Sequence, residues 1–143
     1  MNFLLDTNIV SEWTKPRPDA GVVRWLAKVD EDRVFLSVVT LAELRFGVER
    51  MPTGARRDRL DRWLADELPR RFEHRIAVVT AELADLWGRL LARGQSVGRP
   101  IRSMDALIAA TAVQQELTLV TRNVSDFEAL DIPLVNPWDT TLT

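Results

Sequence analysis

The sequence predicts an α/β fold with a central, mostly parallel five-stranded sheet and helices on both faces. Three observations carry that expectation. Five short apolar runs, mostly rich in branched residues, read as strands buried on both faces. Helical patterns fall between those runs, and strands alternating with helices imply a parallel sheet. There is also no internal repeat, low-complexity tract or linker to divide the 143 residues, so one domain, 1–143, is expected.

The runs are Phe3-Leu4-Leu5, Val34-Phe35-Leu36, Ile76-Ala77-Val78-Val79, Leu117-Thr118-Leu119-Val120 and Ile132-Pro133-Leu134-Val135. Pro133 makes the last an edge strand, because proline cannot donate to a ladder. Between the runs, Val22, Val23, Leu26 and Val29 share a helical face, and Leu41, Leu44, Val48 and Met51 share another. Leu60, Trp63, Leu64 and Leu68 form a third face, and Leu83, Leu86, Trp87, Leu90 and Leu91 a fourth. Residues 106–113 are apolar nearly all round, as in a helix buried in the core. The stretch from Gly94 to Pro100 is the most loop-like internal segment.

Composition excludes more than it assigns. There is no cysteine, hence no disulfide framework and no thiolate metal site, which suits a cytoplasmic setting. The opening MNFLLDTN carries no charged leader and does not read as a signal peptide, and no apolar run reaches the roughly 18 residues of a membrane span. A net charge of −2 announces no global attraction to nucleic acid. The cations are almost all arginine, with Lys15 and Lys28 the only lysines.

In open parallel sheets, ligands bind beyond the carboxyl ends of the strands. Asp6 follows the first run directly. Ser37 ends the second, and Glu43 lies in the first turns of the helix after it. Thr121, Arg122 and Asn123 end the fourth, with Asp126 close behind. Asp105 opens the buried helix that feeds the fourth strand, which brings its start back to the same edge. Ile108, Ala109 and Ala112 share its face, so this carboxylate points inward.

Each acid has a plain structural explanation when taken alone. Asp6 fits an Asx turn or helix cap. Thr40-Leu41-Ala42-Glu43 and Ser125-Asp126-Phe127-Glu128 both fit capping boxes. Asp105 after Ser103 fits a first-turn acid. Joint placement at one sheet edge is what separates the set from these readings. Four carboxylates in one pocket repel and drive some pKa values up, and a divalent cation removes that repulsion. An oxygen-only set with no Cys and no nearby His favours Mg²⁺ or Mn²⁺.

Leu5-Asp6-Thr7-Asn8, then 37–44 (SVVTLAEL) with Gly47, then 105–112 (DALIAATA), then Thr121-Arg122-Asn123 with Asp126-Phe127, resemble the PIN-domain nucleases. More narrowly they resemble VapC-type toxins of bacterial toxin–antitoxin pairs, in the FitB-like branch, as does the closing Asn136-Pro137-Trp138. The resemblance runs the whole chain and departs at none of the four acids; 51–75 is the least distinctive stretch. It implies a three-layer α/β/α fold and Mg²⁺- or Mn²⁺-dependent RNA cleavage at Asp6, Glu43, Asp105 and Asp126, leaving a 5′-phosphate and a 3′-hydroxyl. It also implies a homodimer silenced by a small antitoxin, with DNA contacted only through that antitoxin.

Around the acids, Thr7, Asn8, Thr121 and Asn123 are expected to hydrogen-bond carboxylates or metal waters, though strand-end and cap chemistry explains each equally well. Arg99, Arg102 and Arg122 are the candidates for phosphate contacts, with ordinary surface arginines as the alternative. Arg56, Arg57, Arg59 and Arg62 alternate with acids and read as a solvated helix face. His74, the only histidine, reads as a surface residue. The five tryptophans read as core or interface, with Trp13, near Asp6 in sequence, as a candidate base-stacking side chain.

Other α/β chemistries fit less well. A receiver domain needs a lysine at a late strand end, and none follows Lys28; an aspartyl phosphatase usually shows Asp-x-Asp, and here the motif is Asp6-Thr7-Asn8. There is no GxGxxG or Walker loop. A non-catalytic RNA- or protein-binding PIN module is the alternative from another class.

Overall fold

A computed structural model describes residues 1–138 of the chain. Its five strands are β1 (Phe3–Leu5), β2 (Val34–Ser37), β3 (Ile76–Ala77), β4 (Thr118–Val120) and β5 (Leu134–Val135). They form one sheet in the order β3-β2-β1-β4-β5, and every pairing is parallel. From β1 the chain builds outward to β2 and β3, then returns to the other side of β1 to lay down β4 and β5. The direction of winding therefore reverses between β1 and β4, the kind of crevice where parallel sheets place ligands.

Two apolar cores lie on the two faces, and the strand period of two assigns residues to them. Leu4, Phe35 and Leu119 pack with Leu83, Leu90, Leu107, Ile108 and Phe127. Those partners come chiefly from α6 (Ala81–Ser96) and α7 (Ser103–Gln114). Leu5, Val34, Leu36 and Val120 pack on the opposite face with Ile9, Val10, Val22, Val48, Leu64, Leu68 and Phe72. These come from α1 (Thr7–Trp13), α2 (Ala20–Lys28), α3 (Val38–Glu49), a π-helical turn over Trp63–Glu67, and α5 (Leu68–Arg71) with its C-cap Phe72, while α4 (Ala55–Arg62) adds the partly buried Leu60. The result is the expected α/β/α layering. Among the described residues no helix is long and apolar enough to cross a membrane.

Several local expectations are corrected. Helix α1 begins immediately after β1, capped by Asp6, and no helical face was read there because only Ile9, Val10 and Trp13 are apolar in its seven residues. Strand β3 stops at Ala77, and Val78 and Val79 are exposed; branched residues alone do not make a strand once the neighbouring β2 has ended. The ladders likewise leave Leu117, Ile132 and Pro133 outside β4 and β5. Val23 and Val113 sit on the solvent sides of α2 and α7, and Met51 lies beyond α3. Helix α6 runs through Gly94, Gln95 and Ser96. The turn comes later, at Gly98, whose φ of +71° is the left-handed conformation glycine tolerates. Gly94 is instead a contact point: the returning chain donates Arg99 N–H to its carbonyl at 2.9 Å.

Candidate active site

Asp6 lies at the winding reversal and is buried. It caps α1, its Oδ1 accepting from Thr7 N–H at 2.8 Å. Its other oxygen faces the end of β4 and accepts from the Thr121 hydroxyl at 2.7 Å and from Asn8 Nδ2 at 3.3 Å. Thr121 is itself fully buried and accepts from Asn123 N–H at 3.0 Å. Arg122 N–H donates to Asn8 Oδ1 at 3.3 Å, closing a lattice between the ends of β1 and β4. The cap reading of Asp6 is therefore true, and it leaves the second oxygen directed into the crevice. Burial raises the Asp6 pKa above 3.8, three hydrogen bonds oppose the rise, and the Asp126 charge adds to it.

Glu43 occupies the second turn of α3. The capping box read around it does not form. Ser37 caps α3, accepting from Val39 N–H at 3.0 Å, because the helix starts directly at the end of β2. Thr40 is thereby buried one turn in, 3.2 Å from the Thr7 hydroxyl. Thr7 donates to Glu43 Oε1 at 2.9 Å, which ties α1 to α3 across the site. The second box is absent too. Residues Val124–Asp126 and Glu128–Leu130 form two 3₁₀ turns without side-chain caps, set by the buried Phe127 between them.

Asp105 stands in the first turn of α7, half-buried, while Ile108, Ala109 and Ala112 below it are fully buried. Its pKa is pushed from 3.8 up to about 6. Burial is the largest cause, followed by the charges of Asp6 and Asp126; Arg102 pulls it down, and Glu43 adds a smaller upward push. All four acids thus act within one electrostatic field. They also line one cavity of about 350 Å³, with Thr7, Asn8, Asn123, Arg102 and Arg122.

No three Asp, Glu or His side chains among the described residues stand close enough to hold a single ion. The donor set nevertheless suits one. It consists of carboxylates whose own repulsion raises a pKa, which a hard divalent cation relieves.

Of the three candidate arginines, Arg102 and Arg122 line the acidic cavity itself, and Arg99 lies in an adjoining groove that shares Arg102, Asp105 and Asp126. Trp13 is directed elsewhere. It faces a separate cavity on the other side of α1, with Arg56, Arg59, Trp63 and Arg71, where the Arg71 guanidinium lies 4.4 Å from its ring centre. Arg56 and Arg59 are exposed, as expected, but Arg57 is partly covered and bound to Glu49 and Met51 O. His74 is exposed.

Four residues that line the cavity, Ser11, Glu12, Lys15 and Trp138, were not among the site residues expected from the sequence. Glu12 is buried, accepts from Asp19 N–H at 3.1 Å and pairs with Lys15 at 3.0 Å. Trp138 lines the cavity from a turn beyond β5, not from a helix. Asp6, Glu43 and Asp126 are found by their positions after the strands, and the same rule applied to the fifth strand finds Trp138.

The chain belongs to the PIN-domain family, whose model matches residues 3–132. It is similar to the VapC ribonuclease Y4jK of Sinorhizobium fredii, at 35% identity over 137 residues, covering 96% of this chain and 98% of that one. It is 36% identical over 136 residues to the toxin FitB of Neisseria gonorrhoeae, covering 95% and 98%. A solved structure of FitAB bound to an IR36 DNA fragment superposes with a TM-score of 0.91 at 34% identity, covering 96% of both chains. Within the PIN family, this places the chain in the VapC/FitB group of toxin–antitoxin ribonucleases.

Proposed function

We propose that this protein is a Mg²⁺- or Mn²⁺-dependent endoribonuclease toxin, with Asp6, Glu43, Asp105 and Asp126 as its catalytic and metal-holding carboxylates. The observation that carries the reading is the convergence at Asp105, whose proton affinity is raised first by burial and then by the three other acids that share its cavity. Such coupling between a half-buried carboxyl and a charged cleft marks functional sites more often than surface charge does.

Asp6 and Asp105 hold the principal ion, directly or through water, and Glu43 and Asp126 complete or orient the shell. The bound ion supplies charge neutralisation and Lewis acidity toward the scissile phosphate and an attacking water. Thr121 and Asn8 keep the second Asp6 oxygen turned into the cavity, and Thr7 does the same for Glu43. Arg102 and Arg122 offset the carboxylates for an incoming RNA backbone, and Arg99 extends that path. In-line hydrolysis leaves a 5′-phosphate and a 3′-hydroxyl.

A cognate antitoxin silences the enzyme, the active form is a homodimer, and DNA is engaged only through the antitoxin. The FitAB structure with its DNA fragment supports that partnership by similarity. The test is digestion of total bacterial RNA by antitoxin-free protein with Mg²⁺ or Mn²⁺ against EDTA. Discrete metal-dependent fragments are expected. Folded protein that binds RNA without cutting it is instead a PIN binding module.

A further inference from the structure

Arg102 and Arg122 both line the acidic cavity, but of the two, among the described residues, only Arg122 stands over an aromatic ring. It shares that space with four carboxylates, yet no ion pair among the described residues involves it. Its guanidinium carbon stands 5.3 Å from the centre of the Trp138 ring, within cation–π range. Trp138 is held there by the tail that carries it. Asn136 Oδ1 accepts from Trp138 N–H at 3.0 Å. Pro137 is buried, and its carbonyl approaches Gly21 so closely that a Cβ at that position would stand 2.2 Å from the oxygen. Trp138 is partly buried, packing against the core on the face of the sheet that holds Leu5, and it also lines the cavity.

We propose that Trp138 is a positioning residue that keeps Arg122 available to an RNA phosphate. The inference rests on the ribonuclease reading. A guanidinium beside four carboxylates tends to pair with one of them, which neutralises the cation and occupies an acid needed elsewhere. An aromatic face offers a partner that avoids both losses. A ring competes for a guanidinium's N–H donors far less than a carboxylate does, so a cation–π partner leaves them open for a phosphate. The tail's seat on Gly21 fixes the ring, and the ring fixes the cation at the cavity mouth.

The test measures binding of a fluorescently labelled, mixed-sequence single-stranded RNA to the Asp105→Asn protein, which holds substrate without cutting it, across a salt series. Arg122→Ala should weaken binding and lower the slope of log affinity against log salt by about 0.7, the loss of one single-strand phosphate contact. Trp138→Leu should weaken binding about 3- to 30-fold and lower the slope in the same way. Trp138→Phe should restore most of both. The Arg122→Ala/Trp138→Leu pair should bind no worse than Arg122→Ala alone, because one residue acts through the other.

Arg122→Lys spares the core, keeps the charge and loses the flat guanidinium with its fixed fork of donors, so it should also weaken binding. The inference is overturned if Trp138→Leu leaves affinity and slope unchanged, if its loss adds to that of Arg122→Ala, or if Arg122→Lys binds like the parent. RNA binding without cleavage by the parent defeats the ribonuclease reading and leaves the Trp138–Arg122 result to stand on its own. Absence of RNA binding with both residues intact defeats the inference.

Discussion

The Thr121 hydroxyl, at the end of β4, donates a 2.7 Å hydrogen bond to the Asp6 carboxylate, at the end of β1. The two residues lie 115 positions apart in sequence. The bond spans the strand pair at which the winding of the sheet reverses, so the topology of the fold is what brings donor and acceptor together. Because both residues are buried, losing the donor leaves a carboxylate oxygen poorly satisfied where water is scarce. Thr121→Val should therefore lower metal affinity or cleavage about 10- to 100-fold, the range typical of partners that orient a ligand. Thr121→Ser should retain both. Mn²⁺ titration and cleavage rates on the two variants check this.

Asp105 predicts a pH dependence of metal-free stability. Its folded pKa of about 6 lies above its ordinary value of 3.8, so the folded state holds the proton more tightly than the unfolded state. Its contribution is most favourable below about pH 4 and is lost as pH rises through about 6. Asp105→Asn should accordingly raise the Tm in EDTA at pH 7.5 and change it little at pH 4. Equal shifts at the two pH values would contradict the assignment. Mg²⁺ or Mn²⁺ should raise the parent's Tm at pH 7.5 by binding the folded state, and this rise should largely vanish in the variant.

Two glycines in helices predict opposite outcomes. Gly21→Ala forces a Cβ against the Pro137 carbonyl, which is backbone and cannot swing away. It should cost about 1–3 kcal/mol, the range for overpacking a tight contact. Gly88→Ala meets nothing within 4 Å on the exposed side of α6 and should stabilise by about 0.5–1 kcal/mol through helix propensity. Denaturant unfolding of both variants separates the effects.

Glu12 predicts a structural loss without a direct chemical role. Its carboxylate holds Asp19 N–H at the start of α2 and the Lys15 ammonium. Glu12→Ala should lower stability by about 1–3 kcal/mol, because a part-buried backbone donor at the start of α2 loses its partner. Once folded, Glu12→Gln should keep most of the RNA cleavage rate. A loss of cleavage as deep as that of an Asp6 variant would instead place Glu12 among the chemical groups.

The sheet and the positions of the four acids were legible because both follow from one regularity. Apolar runs mark the strands, and the residues after them, with the start of the helix that feeds the fourth strand, mark the carboxyl edge. Asp6 shows where local pattern stops being decisive, since the same carboxylate caps α1 and faces the crevice. The capping boxes at Thr40 and Ser125 matched in spacing and failed in register. Tertiary packing started α3 at Ser37 and broke the 125–128 segment around Phe127. Trp13 was close to Asp6 in sequence yet faces the opposite side of a seven-residue helix. Trp138, remote in sequence, lines the cavity because parallel strands bring all their carboxyl ends to one edge. Sequence distance is a poor guide to a site that the sheet assembles.

The central claim is that the four carboxylates act through a divalent ion on RNA. The most direct measurement is the RNA cleavage rate against Mn²⁺ concentration for the parent, Asp6→Asn and Asp105→Asn, each shown to be folded by circular dichroism. The parent should cut with a saturable dependence on Mn²⁺ and stop in EDTA. Both variants should lose more activity than the roughly 10- to 100-fold expected for an orienting partner. Cleavage that survives EDTA, or that persists in either variant at the parent's rate, would contradict the account.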